Sequence, residues 1–230
     1  MTAELRRRAL AEFVGTGGLV TVVVGSGIAA QRLSPDDVGL QLLQNSMATA
    51  LGLTVLILVL APVSGAHLNP AVTLSAWALD RRSFRGPEVA AYVSAQTAGA
   101  IAGTWLAHGM FDVGVLTTST HARDGGPTLV AEGVATAGLV LVIFALVRSS
   151  QRPLCAPAVG AYIGAAYWFT SSTSFANPAV TIGRAFTDTF AGIAPSSVPG
   201  FVAAQLVGAA LGLVLLLALY PVPARDTVDI

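Results

Sequence analysis

Residues 64–74 read Ser-Gly-Ala-His-Leu-Asn-Pro-Ala-Val-Thr-Leu, and residues 174–182 read Ser-Phe-Ala-Asn-Pro-Ala-Val-Thr-Ile. The shared core, Asn-Pro-Ala-Val-Thr, stands at Asn69–Thr73 and again at Asn177–Thr181, 108 positions on. Proline is favoured at the first helical position, where its missing N–H would be unsatisfied anyway. Asparagine before it is a good N-cap, because its side-chain oxygen accepts a free helix N–H. Each copy therefore reads as a helix start.

The surroundings of each start are apolar. From Val38 to Leu79 run 42 residues without Asp, Glu, Arg or Lys. One membrane span takes ~20 residues, so this run holds a span and a remainder. Pro62, Gly65 and Pro70 break it, leaving the 10 residues Pro70–Leu79, or ~15 Å at ~1.5 Å per residue, about half a bilayer core. The uncharged run from Pro153 to Gly183 likewise holds a span, about 154–171, plus the second Asn-Pro-Ala segment. Further spans are expected from Arg8 to Arg32, where Glu12 is the only internal charge, and at about 88–109, 128–147 and 199–220. The first is read as a span rather than a leader, because the same segment type recurs in the second half.

Composition agrees. The 230 residues are 54% hydrophobic and only 10% charged, with a mean hydropathy of +0.72, against about 25% charged in soluble domains. Net charge is zero, so no nucleic-acid surface is advertised. Cys155 is the sole cysteine, and His67, His108 and His121 are scattered. No intrachain disulfide, metal site or cofactor is expected, and no catalytic constellation, so the chain is not read as an enzyme.

The halves repeat. Ala11-Glu12 with Gly15-Thr16 matches Ala131-Glu132 with Ala135-Thr136, and Gln96-x-x-Gly-Ala-x-x-Gly103 matches Gln205-x-x-Gly-Ala-x-x-Gly212. Three full spans per repeat put the second copy upside down relative to the first, a recurring transport design. The reading is an all-α membrane protein of six transmembrane helices plus two re-entrant half-helices. It forms a single channel domain over 1–230, with inverted repeats at about 9–110 and 128–220. If the N-terminus is cytoplasmic, so are Arg6, Arg7, Arg8, Arg81, Arg82, Arg85, Arg148, Arg152 and Arg225, leaving Arg32, Arg123 and Arg184 outside. The positive-inside rule then places both termini in the cytoplasm.

Two half-helices from opposite faces aim two positive dipole ends at one point, with the Asn69 and Asn177 amide groups free to donate into a wet cavity. That favours a neutral solute with a lone pair over a cation. Glu12 and Glu132, about one turn inside their spans, are costly there and are functional candidates by default. The glycine pairs 99/103, 160/164 and 208/212 read as close helix packing.

On Ala-Glu-Phe-x-Gly-Thr (11–16), Ser-Gly-Ala-His-x-Asn-Pro-Ala-Val-Thr (64–73) and Asn177-Pro178-Ala179, the chain resembles the major intrinsic protein family, the aquaporins and aquaglyceroporins. The resemblance implies one pore per subunit, a homotetramer in the plasma or inner membrane, and Asn69 and Asn177 at the pore centre. It also implies Glu12 and Glu132 as acceptors for re-entrant backbone N–H groups. His67 matches the family's loop histidine, which either lines the inner half of the pore or braces the loop. Family members carry Arg directly after the second Asn-Pro-Ala; this chain has Val180. Counting from the motifs places the other filter positions at Thr49 (or Leu51, on a shifted local match), Ala165 and Ser174. No aromatic or histidine falls at these positions.

The expected consequence is a wide outer constriction with no fixed positive charge. Arg184, four residues on, stands either at the outer mouth or as an interfacial anchor. In this the chain resembles a bacterial subgroup, linked to arsenic handling, in which valine replaces the arginine. The expected solutes are glycerol, urea and neutral metalloid hydroxides such as arsenite or antimonite, and water. The alternatives are a plain water channel and a secondary transporter, though no coherent ionisable pathway serves the latter.

Overall fold

The computed structural model describes residues 1–221; Arg225, counted above among the inner arginines, lies outside them. Eight α-helices follow in order: α1 (Ala3–Leu33), α2 (Val38–Ser64), α3 (Pro70–Leu79), α4 (Gly86–Phe111), α5 (Gly126–Arg148), α6 (Cys155–Phe169), α7 (Pro178–Gly183) and α8 (Val198–Leu219). The order long, long, short, long thus occurs twice. Pro70, Pro87, Pro127, Pro178 and Pro199 sit in the first turns of α3, α4, α5, α7 and α8, where a missing N–H costs nothing.

By length and apolarity alone, α1, α2, α5 and α8 are long and apolar enough to cross a membrane. The other two expected spans are less uniform. α4 has the length but carries Gln96, Thr104 and His108, all buried. α6 has only 15 helical residues, preceded by a 3-10 turn at Arg152–Leu154. The second half-helix is also shorter than the first. α7 ends at Gly183 and tightens into a 3-10 turn at Arg184–Phe186.

Packing is most extensive between α1 and α4, followed by α5 with α8, α1 with α2, and α2 with α6. The glycines explain how closely. A Cβ at Gly99 would lie 2.3 Å from the Phe13 carbonyl oxygen, and one at Gly208 would lie 2.3 Å from that of Gly133. Backbones this close gain dispersion contacts that larger side chains would prevent. Outward faces of the long helices are apolar and exposed, as at Leu51, Val55, Leu58 and Val59 of α2, which suits contact with lipid rather than water. The buried interior carries polar groups as well, among them Glu12, Gln96, Glu132 and Gln205.

Candidate functional site

Both half-helices begin at the same place. Asn69 Oδ1 accepts from Ala71 N (2.8 Å) and Asn177 Oδ1 accepts from Ala179 N (3.0 Å) and Val180 N (3.3 Å). Both asparagines are thus N-caps, as the motif predicts. Their amide nitrogens reach across: Asn69 Nδ2 donates to Ala176 O (2.7 Å) and Asn177 Nδ2 to Leu68 O (2.8 Å). The expectation of wholly free amides needs correction, since one hydrogen of each ties the two loops together. The second remains available to the cavity beside it.

The loops leading to these caps are held in an unusual backbone conformation. Ala66 and Leu68 in the first, and Ser174 and Ala176 in the second, have φ of 46°, 50°, 50° and 47°. Left-handed backbone at non-glycine residues is strained and persists only where the surroundings impose it. Buried carboxylates impose it here. Glu12 accepts from His67 N (3.0 Å), Leu68 N (2.7 Å) and Ser64 Oγ (2.6 Å). Glu132 accepts from Phe175 N (2.8 Å) and Ala176 N (2.9 Å). Neither reaches toward solvent, as both are fully buried.

A further pair served in the sequence only as markers of the repeat. Gln96 Nε2 donates to Glu12 Oε2 (2.7 Å) and Thr73 Oγ1 (2.9 Å), while Gln205 Nε2 donates to Glu132 Oε2 (2.6 Å) and Thr181 Oγ1 (2.8 Å). Each glutamine locks its glutamate to the first turn of the adjacent half-helix. Their matched spacing was the available signal; their partners lie too far along the chain to be read from it.

A central cavity of about 60 Å³ runs past both asparagines, room for about four waters at ~15 Å³ each. On the side where α2 ends and α6 begins it opens into a vestibule of about 450 Å³ bordered by Pro62, Arg152 and Cys155. The two share Ile57, Ala66, His67, Val72, Ile143 and Val159. His67 does both things left open above. It lines these cavities, and its Nδ1 pairs with Thr73 Oγ1 at 3.2 Å while its ring packs edgewise on Phe84 and Tyr92.

Of the expected filter residues, Thr49, Ser174 and Val180 line the central cavity. Leu51 is 64% exposed on the outer face of α2, as two helical residues' rotation requires. Ala165 is also misplaced by counting. It is exposed on α6, and the inward face is carried by Ile163 and Tyr167, four residues apart on one helical stripe. Tyr167, whose hydroxyl pairs with Thr49 Oγ1 at 3.1 Å, and Phe175 therefore supply aromatic lining that motif counting did not anticipate.

Arg184 corrects a second expectation. It is not an interfacial anchor, being 2% exposed, and it brings a guanidinium to the lining that also holds Val180, where no fixed positive charge was expected. Its Cζ lies 3.4 Å from the Phe175 ring centroid, and its Nε donates to Ala191 O. Helical side chains tilt toward the helix N-terminus. Because α7 starts beside the cavity centre, a residue one turn beyond Val180 points back into the cavity.

Beyond the cavity, the segment between α4 and α5 folds over this end. Ser119 N donates to Ala185 O (2.9 Å) and Thr120 N to Asp188 Oδ1 (2.8 Å). His108 bridges Gly114 O and Thr187 Oγ1, each at 2.8 Å. Burial and neighbouring Arg123 hold the His121 imidazole below its ordinary pKa, partly opposed by Asp188.

Comparison with known proteins places these features. The sequence pattern of the major intrinsic protein family matches residues 1–174. The aquaglyceroporin AqpS of Rhizobium meliloti (strain 1021) is 52% identical over 98% of this chain and 94% of its own length, which takes in the second motif as well. The glycerol uptake facilitator protein of Pseudomonas aeruginosa is 30% identical over 92% of this chain and 88% of its own. In structure, the aquaglyceroporin from Plasmodium falciparum superposes with a TM-score of 0.68 at 22% identity, covering 94% of this chain and 95% of that one.

Proposed function

Because the chain belongs to the major intrinsic protein family, and is a multi-pass membrane channel for small solutes rather than an enzyme, we propose that it passes compact uncharged solutes larger than water. Glycerol, urea and neutral metalloid hydroxides such as arsenous, antimonous or boric acid are the candidates, with water alongside them. The carrying observation is the mixed polar and aliphatic lining of the narrow cavity. Its lining mixes the Asn69 and Asn177 amides and the Thr49, Tyr167 and Ser174 hydroxyls with aliphatic groups that include Val72, Leu139, Ile143 and Val180. A solute with hydroxyls on one face and a carbon or metalloid skeleton on the other satisfies both. Among the described residues no Asp or Glu lines the path, so a cation finds no counter-charge there.

In this reading Asn69 and Asn177 mark the pore centre, and Thr49, Ser174 and Val180 belong to the selectivity filter. Glu12, Glu132 and His67 support the loops. The protein works as a homotetramer with both termini in the cytoplasm. The names of the relatives, an aquaglyceroporin and a glycerol uptake facilitator, support passage of polyols. Proteoliposomes test it. Glycerol and arsenite uptake above that of empty vesicles is expected; osmotic water flux without either would make the chain a plain water channel, and saturable, ion-dependent uptake would make it a transporter.

A further inference from the structure

Val180 adds no charge to the cavity, but a guanidinium reaches the same cavity from one turn away. Arg184 is almost fully buried, and no carboxylate lies within 4.0 Å of it among the described residues. Only its Nε has a hydrogen-bond partner there, so its two Nη groups are unbonded. A buried unpaired charge is costly, so those N–H groups depend on what occupies the cavity. Ser174 Oγ, buried on the same wall, also lacks a partner among the described residues. Both residues line one narrow cavity, so a ligand held between them can complete the bonding.

A second arginine binds the same stretch of backbone. Three successive carbonyls are taken in turn: Phe190 O by Arg123 Nη2 (3.2 Å), Ala191 O by Arg184 Nε, and Gly192 O by Arg123 Nε (2.8 Å). Both guanidiniums also lie against Phe175, Arg123 Cζ at 5.1 Å and Arg184 Cζ at 3.4 Å from the ring centroid. Arg123 belongs to the segment joining the two halves, which no counting from the Asn-Pro-Ala motifs reaches.

We propose that Arg184 is the cation barrier and solute-oxygen donor of this channel, and that Arg123 is the residue that positions it. The subsite takes a compact neutral polyhydroxy solute. Arg184 Nη–H donates to one solute oxygen while Ser174 Oγ accepts a solute O–H proton. The fixed charge repels cations crossing the narrow region, and Val180, carrying no bulk of arginine, leaves width for the solute. The inference rests on the cavity being the conduction path.

The test uses the full chain in proteoliposomes, with water, glycerol and proton flux read on the same preparations. Arg184→Met should raise proton leak about tenfold or more by removing the charge and lower the glycerol-to-water ratio. Arg184→Lys should keep the leak low but still lose glycerol preference, because a lysine lacks the planar fork. Arg123→Met should move both readouts in the direction of Arg184→Met, with Arg123→Lys partly restoring them. The double variant should be no leakier than Arg184→Met alone, since a positioning residue acts only through its partner. Unchanged leak and unchanged ratio in both Arg184 variants would overturn the proposal, and an additive double variant would overturn the role of Arg123. A wild-type chain that conducts water but no glycerol sinks the larger-solute reading alone, because the leak comparison still reports on Arg184.

Discussion

Asn69 and Asn177 each donate to the carbonyl that stands one residue before the other: Asn69 Nδ2 to Ala176 O at 2.7 Å, Asn177 Nδ2 to Leu68 O at 2.8 Å. The two half-helix starts are thus cross-tied as well as capped, and neither loop is free to move alone. Replacing Asn69 or Asn177 with Asp keeps the capping oxygen but deletes the cross-tie and adds a negative charge. Each variant should lose about 1–3 kcal/mol of stability and most solute flux. Thermal unfolding in detergent beside vesicle uptake checks both, and the Asn69→Asp/Asn177→Asp double variant should cost no more than about the sum of the singles.

Glu12 and Glu132 hold strained loops rather than surface contacts. Glu12→Gln puts an amide N–H₂ against donors already present, leaving at least one unpaired, and should cost about 2 kcal/mol or more. Glu132→Gln should behave alike. Glu88→Gln removes the partly exposed partner of Arg8 (2.8 Å) and should cost about 1 kcal/mol or less. Denaturation midpoints of the three variants in one detergent rank them. Equal losses would mean that the re-entrant loops do not depend on their carboxylates.

Gly103→Ala places a Cβ 2.2 Å from the Gly17 carbonyl oxygen, whereas Gly109→Ala meets nothing within 4 Å among the described residues. α1 and α4 must separate in the first and not in the second. The expected outcome is loss of monodisperse protein for Gly103→Ala, with Gly109→Ala behaving as wild type by size-exclusion chromatography.

Much of this fold is legible in the sequence because its determinants are local. Asn-Pro marks a helix start, an uncharged run of known length marks a span and a half, and matched landmarks mark a repeat. The filter is legible only in part. Counting from a motif assumes a fixed helical phase, and at Ala165 a two-residue offset turned the residue outward and concealed Tyr167. Arg184 is left between two places by the sequence, because its direction depends on where α7 starts relative to the cavity. The pairing of Arg123 with Phe190 and Gly192 carbonyls joins segments almost 70 residues apart, and nothing in the local sequence announces it.

His121 gives a pH prediction. Its pKa lies below the ordinary value, through burial and Arg123, with Arg184 adding to the shift and Asp188 opposing it. A lowered imidazole pKa means that the unfolded chain binds the proton more readily. Its stability contribution is therefore full above the unfolded value of ~6.5 and is lost as pH falls through the folded value. NMR titration, with His121→Asn for assignment, should give a midpoint below that of a free histidine. A midpoint at or above it would mean that the segment does not fold against Arg123.

The vestibule can be probed through Cys155, the sole cysteine, which borders it and is half-buried. A small methanethiosulfonate should label it and reduce solute flux, and Cys155→Ser should abolish the effect. Labelling without inhibition would place the conduction path elsewhere.

The most direct test of the account is the ratio of glycerol to water permeability in wild type and Val180→Arg, measured in matched proteoliposomes. Wild type is expected to conduct both. The added guanidinium beside Arg184 should cut glycerol flux about tenfold or more, by occlusion and by like-charge crowding, while water flux falls much less. Glycerol flux unchanged by Val180→Arg would contradict the central claim that Val180 keeps this channel wide.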